Sequence, residues 1–186
     1  MNSPAHSDSQ LFAGVFALVG RCWSREADLE LLTRLNDSVT KQEFENLGGY
    51  VPSVIEDKIE SLALDYCQLL VGPKNHILPI QSVWESDRLE SESSSSMRTF
   101  FAILKGYEPP ISIVDHLGVQ LDFASRLLAL DSPLAKEMFA DFHVRHLNWA
   151  NAMLNVVPQK TQSDFYVGLG TVTKNLLQLA IQDVEQ

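Results

Sequence analysis

Apolar residues along this chain return almost everywhere at intervals of three and four, the period of a helix with one face turned inward. The spacing predicts helices from near Ser9 to Trp23, from about Arg25 to Leu35, and from Lys41 to Leu47, where Gly48-Gly49 stops the third. Ser53 with Glu56 three residues on has the form of a capping box. It opens a longer helix in which Ile55, Ile59, Leu62, Tyr66 and Leu69 share a face, ended by Gly72-Pro73. Helix resumes around Met97 and stops at Gly106, ahead of Pro109-Pro110. Ser112 and Asp115 form another capping-box pattern, which puts Asp115 and His116 in the first turn of a helix whose inner stripe is Val114, Leu117, Leu121, Ala124 and Leu128. Asp131 or Ser132, with Pro133 at the first helical position, caps the next, carrying Phe139, Phe142, His146, Trp149 and Met153 inward as far as Pro158. A final helix starts at Thr161 or Ser163 and buries Phe165, Leu169, Val172, Leu176 and Leu179. No stretch alternates as a strand would, and no internal repeat is visible. The predicted fold is all-α, a single helical-bundle domain over residues 1–186 with about eight to ten helices.

The helical period fails over residues 74–96. Ile77-Leu-Pro-Ile-Gln-Ser-Val-Trp84 is apolar without periodicity, and the charged stretch after it ends in a four-serine run, Ser93–Ser96. This reads as one long loop, greasy in its first half and mobile in its second. Residues 85–97 would then be a hinge between N-terminal and C-terminal helical parts, which would allow a monomer or a domain-swapped dimer.

Composition narrows the function. The 14 basic and 24 acidic side chains give a net charge of −10, which argues against nucleic acid as a partner and favours cationic ones. No apolar run approaches the roughly 20 residues that span a bilayer. Residues 11–20 are greasy enough to resemble a signal-peptide core, but Met1 to Gln10 carries Asp8 and no Lys or Arg, so an amphipathic first helix is expected instead. Cys22 and Cys67 lack metal-ligand spacing and read as free thiols in a reducing compartment.

Few residues carry candidate chemistry. His143 and His146 lie three apart on one helix, a spacing open to a metal, but no third ligand belongs to a known motif and His146 falls on the apolar stripe. Asp115 and His116 diverge by about 100° as helix neighbours, so they are not a catalytic dyad with each other. They mark either a ligand corner or a helix cap. Gly168-x-Gly170 has no strand before it, so nucleotide hydrolysis is unsupported. Trp84 is either an aromatic anchor at a groove or a plug onto the core; Arg98 is either a ligand partner or a solvated helix-start residue.

Taken in order, Tyr66-Cys-Gln-Leu-Leu-Val-Gly-Pro73, Leu78-Pro-Ile-Gln-Ser-Val-Trp84, Arg98, Gly106, Glu108-Pro109, Asp115-His116 and Phe142–Trp149 resemble the TorD/DmsD family of cytoplasmic chaperones for molybdenum-containing redox enzymes. The ordered set covers roughly residues 10–180. The chain departs from the family pattern at Pro79-Ile80-Gln81-Ser82, in the stretch Pro110–Val114 that separates Glu-Pro from Asp-His, and at His146–Trp149, which lacks a proline. The resemblance implies a binding protein rather than an enzyme, one that holds the twin-arginine signal peptide of a redox-enzyme precursor during its maturation before export. It implies Asp115 as the acidic contact, His116 as a hydrogen-bonding or pH-sensitive partner, Trp84 and Val83 lining an apolar groove, and Arg98, Gly106 and Pro109 shaping its wall. It implies no metal and no cofactor beyond weak guanine-nucleotide binding, and neither nucleic-acid binding nor stable membrane insertion. Two rivals stand beside it: a metal-dependent helical enzyme using His143 and His146, and a structural assembly subunit held through Ser91–Ser96.

Overall fold

Several helix starts are set by side chains that satisfy the unpaired N–H groups of a first turn. The computed structural model of the protein describes residues 8–184, beginning with α1 (Asp8–Ser24), α2 (Leu29–Leu35), α3 (Ser38–Asn46) and α4 (Glu56–Tyr66). Residues 1–7, most of the segment whose lack of Lys or Arg argues against a signal-peptide leader, lie outside the described residues. Asp28 accepts from the Leu31 N–H at 2.8 Å and Asp37 from Val39 at 3.2 Å, so α2 starts later and α3 earlier than apolar spacing alone predicts. The expected Ser53 box does not form. Ile55 stands at the N-cap of α4 without a side-chain bond. Beyond Tyr66 the chain makes a wider turn over Cys67–Val71, closed by the Gly72 N–H on the Cys67 carbonyl at 2.6 Å.

Nearly half of the stretch expected to be one long loop is helical. It holds α5 (Gln81–Ser86) and the start of α6 (Glu92–Ile103), so the supposed hinge 85–97 is the end of α5, a short link and the first turns of α6. The serine run belongs to α6: Ser91 is its N-cap, accepting from the Ser93 N–H, while the Ser94 hydroxyl accepts from the Ser91 N–H. Four serines in a row look solvated, yet Ser93 and Ser94 are buried.

The remaining elements are α7 (Leu117–Ala129), α8 (Pro133–His146), α9 (Ala150–Leu154), α10 (Val157–Lys160) and α11 (Asp164–Val184). Ser132 caps α8, with Pro133 following, as predicted. No strand occurs among the described residues; the one extended pairing is an antiparallel bridge between Ile80 and His116. The all-α prediction therefore holds.

Helices α1 and α7 pack along each other at close range because glycines face glycines. A methyl at Gly20 would lie 3.0 Å from the Gly118 carbonyl oxygen, and one at Gly118 would lie 2.8 Å from the Gly20 carbonyl oxygen and collide with the Ser24 hydroxyl. One contiguous core joins α1 to the C-terminal helices, with Phe16, Trp23, Phe123, Phe139, Phe142 and Tyr166 among its fully buried members. Two of its large polar side chains are paired: Trp23 Nε1 donates to Thr173 Oγ1 at 2.9 Å and the Tyr166 hydroxyl to the Leu62 carbonyl at 3.2 Å. Phe100 from α6, Phe123 from α7 and Phe142 from α8 form an aromatic cluster with ring centroids 4.9 to 6.2 Å apart. No described helix is long and apolar enough to cross a membrane.

Candidate functional site

The Asp-His corner is built by long-range pairing rather than by its own helix. The Leu117 N–H donates to the Pro79 carbonyl at 2.8 Å and the Gln81 N–H to the Asp115 carbonyl at 3.0 Å. These bonds hold His116 extended against Ile80, so α7 cannot begin at Ser112. The expected Ser112–Asp115 capping box is replaced by His116, which stands at the N-cap and accepts from the Gly118 N–H on Nδ1 at 3.0 Å.

Asp115 and His116 are both buried, at 2% and 6% exposure. Asp115 accepts from the Ser82 N–H at 2.9 Å and from the Ser93 hydroxyl at 3.2 Å, which ties the starts of α5 and α6 to the entry of α7. In this conformation Asp115 and His116, expected as the acidic ligand contact and its partner, are almost wholly enclosed and serve to tie helix starts together. Burial pushes His116 down to about 4, against the opposing pull of Asp115.

Next to this corner lies a polar network that sequence reasoning missed. Gln81 Nε2 donates to the Arg145 carbonyl at 2.7 Å and to Glu85 Oε1 at 2.9 Å, which fixes the orientation of its amide. Gln81 Oε1 then accepts from Gln120 Nε2 at 2.7 Å and meets His146 Nδ1 at 2.9 Å, so His146 carries its proton on Nδ1. His146 Nε2 is left to accept from the Ser96 hydroxyl at 2.9 Å. Gln120 Oε1 accepts from Trp149 Nε1 at 2.9 Å. Burial, aided by Arg145, pushes His146 down to about 4. Glutamine pairs of this kind give no sequence signal, because a buried glutamine and a surface one look alike.

His143 bonds elsewhere, through Nε2 to the Leu177 carbonyl at 3.1 Å, and burial lowers its pKa. Both nitrogens of His146 are committed to Gln81 and Ser96, so the two imidazoles do not converge on a shared point. No metal-competent cluster of His, Cys, Asp or Glu occurs among the described residues.

The other sequence-derived positions are dispersed. Val83 is half-buried; Trp84 is 37% exposed, with Nε1 donating to the Leu78 carbonyl at 2.7 Å, a bond that folds the ring back over its own loop. Arg98 is exposed and pairs with Glu90 at 3.0 Å. Gly106 is exposed at φ +79°, a left-handed turn after α6, and Pro109 is half-buried.

A groove of about 630 Å3 opens instead between α6 and α8. Ser96, Thr99, Phe100 and Ile103 form one wall, and Leu134, Glu137, Met138, Asp141 and Arg145 the other. Ile103 is 50% and Leu134 66% exposed, so the groove offers apolar surface to solvent, with Glu137 and Asp141 at its rim. The i, i+3/i+4, i+7 spacing of 134, 137/138 and 141 was a legible signal for a second helix face, masked by the stronger stripe through Phe139 and Phe142. Ser96 belongs both to the groove and to the network, through His146.

A family model described as nitrate reductase delta subunit matches residues 34–157. A crystal structure of a candidate redox enzyme maturation protein from Archaeoglobus fulgidus shares the fold, with a TM-score of 0.53 over 100% of this chain and 99% of that one, at 16% identity. No curated relative matches the chain.

Proposed function

Because this chain belongs to the nitrate reductase delta subunit family, the TorD/DmsD-type maturation chaperones, we propose that it binds the twin-arginine signal peptide of a molybdenum-containing redox-enzyme precursor in the cytoplasm and releases it for export after maturation. The observation that carries this reading is the α6/α8 groove. A twin-arginine peptide is a cationic stretch followed by an apolar one, and the groove pairs an apolar floor, exposed Ile103 and Leu134 with half-buried Met138, with acidic Glu137 and Asp141.

Burial of the apolar segment supplies most of the affinity. At about 25 cal/mol per Å2, covering on the order of 300 Å2 contributes about 7 kcal/mol before ordering costs. Each exposed ion pair adds only about 0.2–1 kcal/mol, and Asp141 must share its charge with Arg145 at 2.7 Å. The acidic rim, within a net charge of −10, serves encounter rate and register. The buried Asp115 corner supports the groove by fixing the start of α6.

Calorimetric titration of the full chain with a twin-arginine export peptide tests this. Saturable binding is expected for the whole peptide, with strong loss when its apolar half is removed and modest loss when its arginines are replaced. Equal binding of an unrelated basic peptide would reject the reading.

A further inference from the structure

Four of the chain's seven arginines line one small cleft, although the protein as a whole carries a net charge of −10. The cleft, about 370 Å3, lies between α1, α2 and α7 and is closed on one side by Pro110 and Ile111. Arg21 on α1 is fixed: its guanidinium donates to the Arg25 and Glu26 carbonyls at 3.0 Å and to Asp28 at 2.6 Å. Arg25 only grazes the same Asp28 at 4.0 Å, and Arg126 stands 3.8 Å from Asp122. The Arg34 guanidinium has no hydrogen-bond or ion-pair partner among the described residues.

Charge counting sets the occupant. Asp28 and Asp122 neutralise two of the four arginines, which leaves a surplus of two positive charges facing one concavity. Like charges gathered in this way repel, and a doubly charged oxyanion relieves that repulsion while accepting from the planar forks of several guanidinium groups. A monocarboxylate would leave the surplus half-compensated. No aromatic ring lines the cleft to stack a nucleobase, and the small residues Ala17, Gly20 and Ser24 leave room on the α1 side. We infer that this cleft binds a compact phosphoryl-bearing anion, at a site separate from the α6/α8 groove.

The test is calorimetric titration of the full chain with pyrophosphate and with inorganic phosphate at about 0.15 M salt, where exposed-charge effects are screened. Pyrophosphate is expected to saturate one site. Arg34→Ala and Arg25→Ala, both exposed side chains, should each weaken it at least about tenfold while circular dichroism shows an unchanged fold. Arg98→Ala, outside the cleft, should change nothing, and export-peptide binding should be unaffected by Arg34→Ala. Absence of saturable binding by either probe would overturn the inference. So would equal weakening by Arg98→Ala, a guanine nucleotide binding tenfold tighter than pyrophosphate, or an acidic peptide that occupies the cleft when pyrophosphate does not.

Discussion

The Asp115 side chain accepts the backbone N–H of Ser82 at 2.9 Å across 33 residues of sequence, deep enough that neither group reaches solvent. With the Ser93 hydroxyl on the same oxygen, one carboxyl group joins α5, α6 and the entry of α7. Asp115→Ala leaves two buried donors unpaired, and urea denaturation should show a loss of about 2–4 kcal/mol. Ser82 itself gives the opposite control. Its buried hydroxyl oxygen has no hydrogen-bond partner among the described residues, so Ser82→Ala should be neutral or slightly stabilising. A large loss from Ser82→Ala would show that the hydroxyl is engaged after all.

Stability should fall on the acid side of neutrality. His116 and His146 are each held down to about 4 by burial, below the ordinary histidine value near 6.5. Because the folded values are depressed, the stabilisation is fully present above pH of about 6.5 and is lost as pH falls towards about 4, where the folded form takes up the same protons. Between pH of about 7.5 and 5, each should cost on the order of 2 kcal/mol in urea-derived stability. His146→Gln should flatten this dependence by about one proton while destabilising the protein at neutral pH, since it disturbs the bonds to Gln81 and Ser96. An unchanged pH slope in that variant would assign the dependence to other groups.

The α1/α7 crossing predicts a third outcome. Gly118→Ala must push the new methyl into the Ser24 hydroxyl and to within 2.8 Å of the Gly20 carbonyl oxygen, backbone that cannot yield without separating the helices. The expected loss is about 3 kcal/mol, with a matching fall in thermal midpoint. Gly14→Ala, where a methyl meets nothing within 4 Å, should be neutral or stabilising through its gain in helix propensity.

Local pattern was enough for most helices because the apolar stripes of α1, α7, α8 and α11 are long and the start of α8 is marked by Ser132-Pro133. Beyond the shifted starts of α2, α3 and α4, it failed at two places that bear on the site. The start of α7 was misplaced because Pro79, Ile80 and Gln81, distant in sequence, hold His116 extended; no local rule contains that pairing. The serine run was read as mobile because serine gives no apolar signal, although Ser91 followed by Ser94 is a helix-start pattern that could have been read. The site suffered for the same reason. Asp115 and His116 stand out as chemically capable residues at a helix mouth, yet only the fold shows that Ser82, Ser93 and Gly118 already consume them.

The central claim, that an export peptide lies along the α6/α8 groove, is tested most directly by photo-crosslinking. A twin-arginine peptide carrying a photoreactive residue in its apolar half is irradiated with the full chain and the adduct mapped by mass spectrometry. The account predicts adducts on Ile103, Leu134 or Met138, abolished by Ile103→Asp and reduced by Glu137→Lys. Adducts confined to residues 78–84 around Trp84, unaffected by those substitutions, would contradict it.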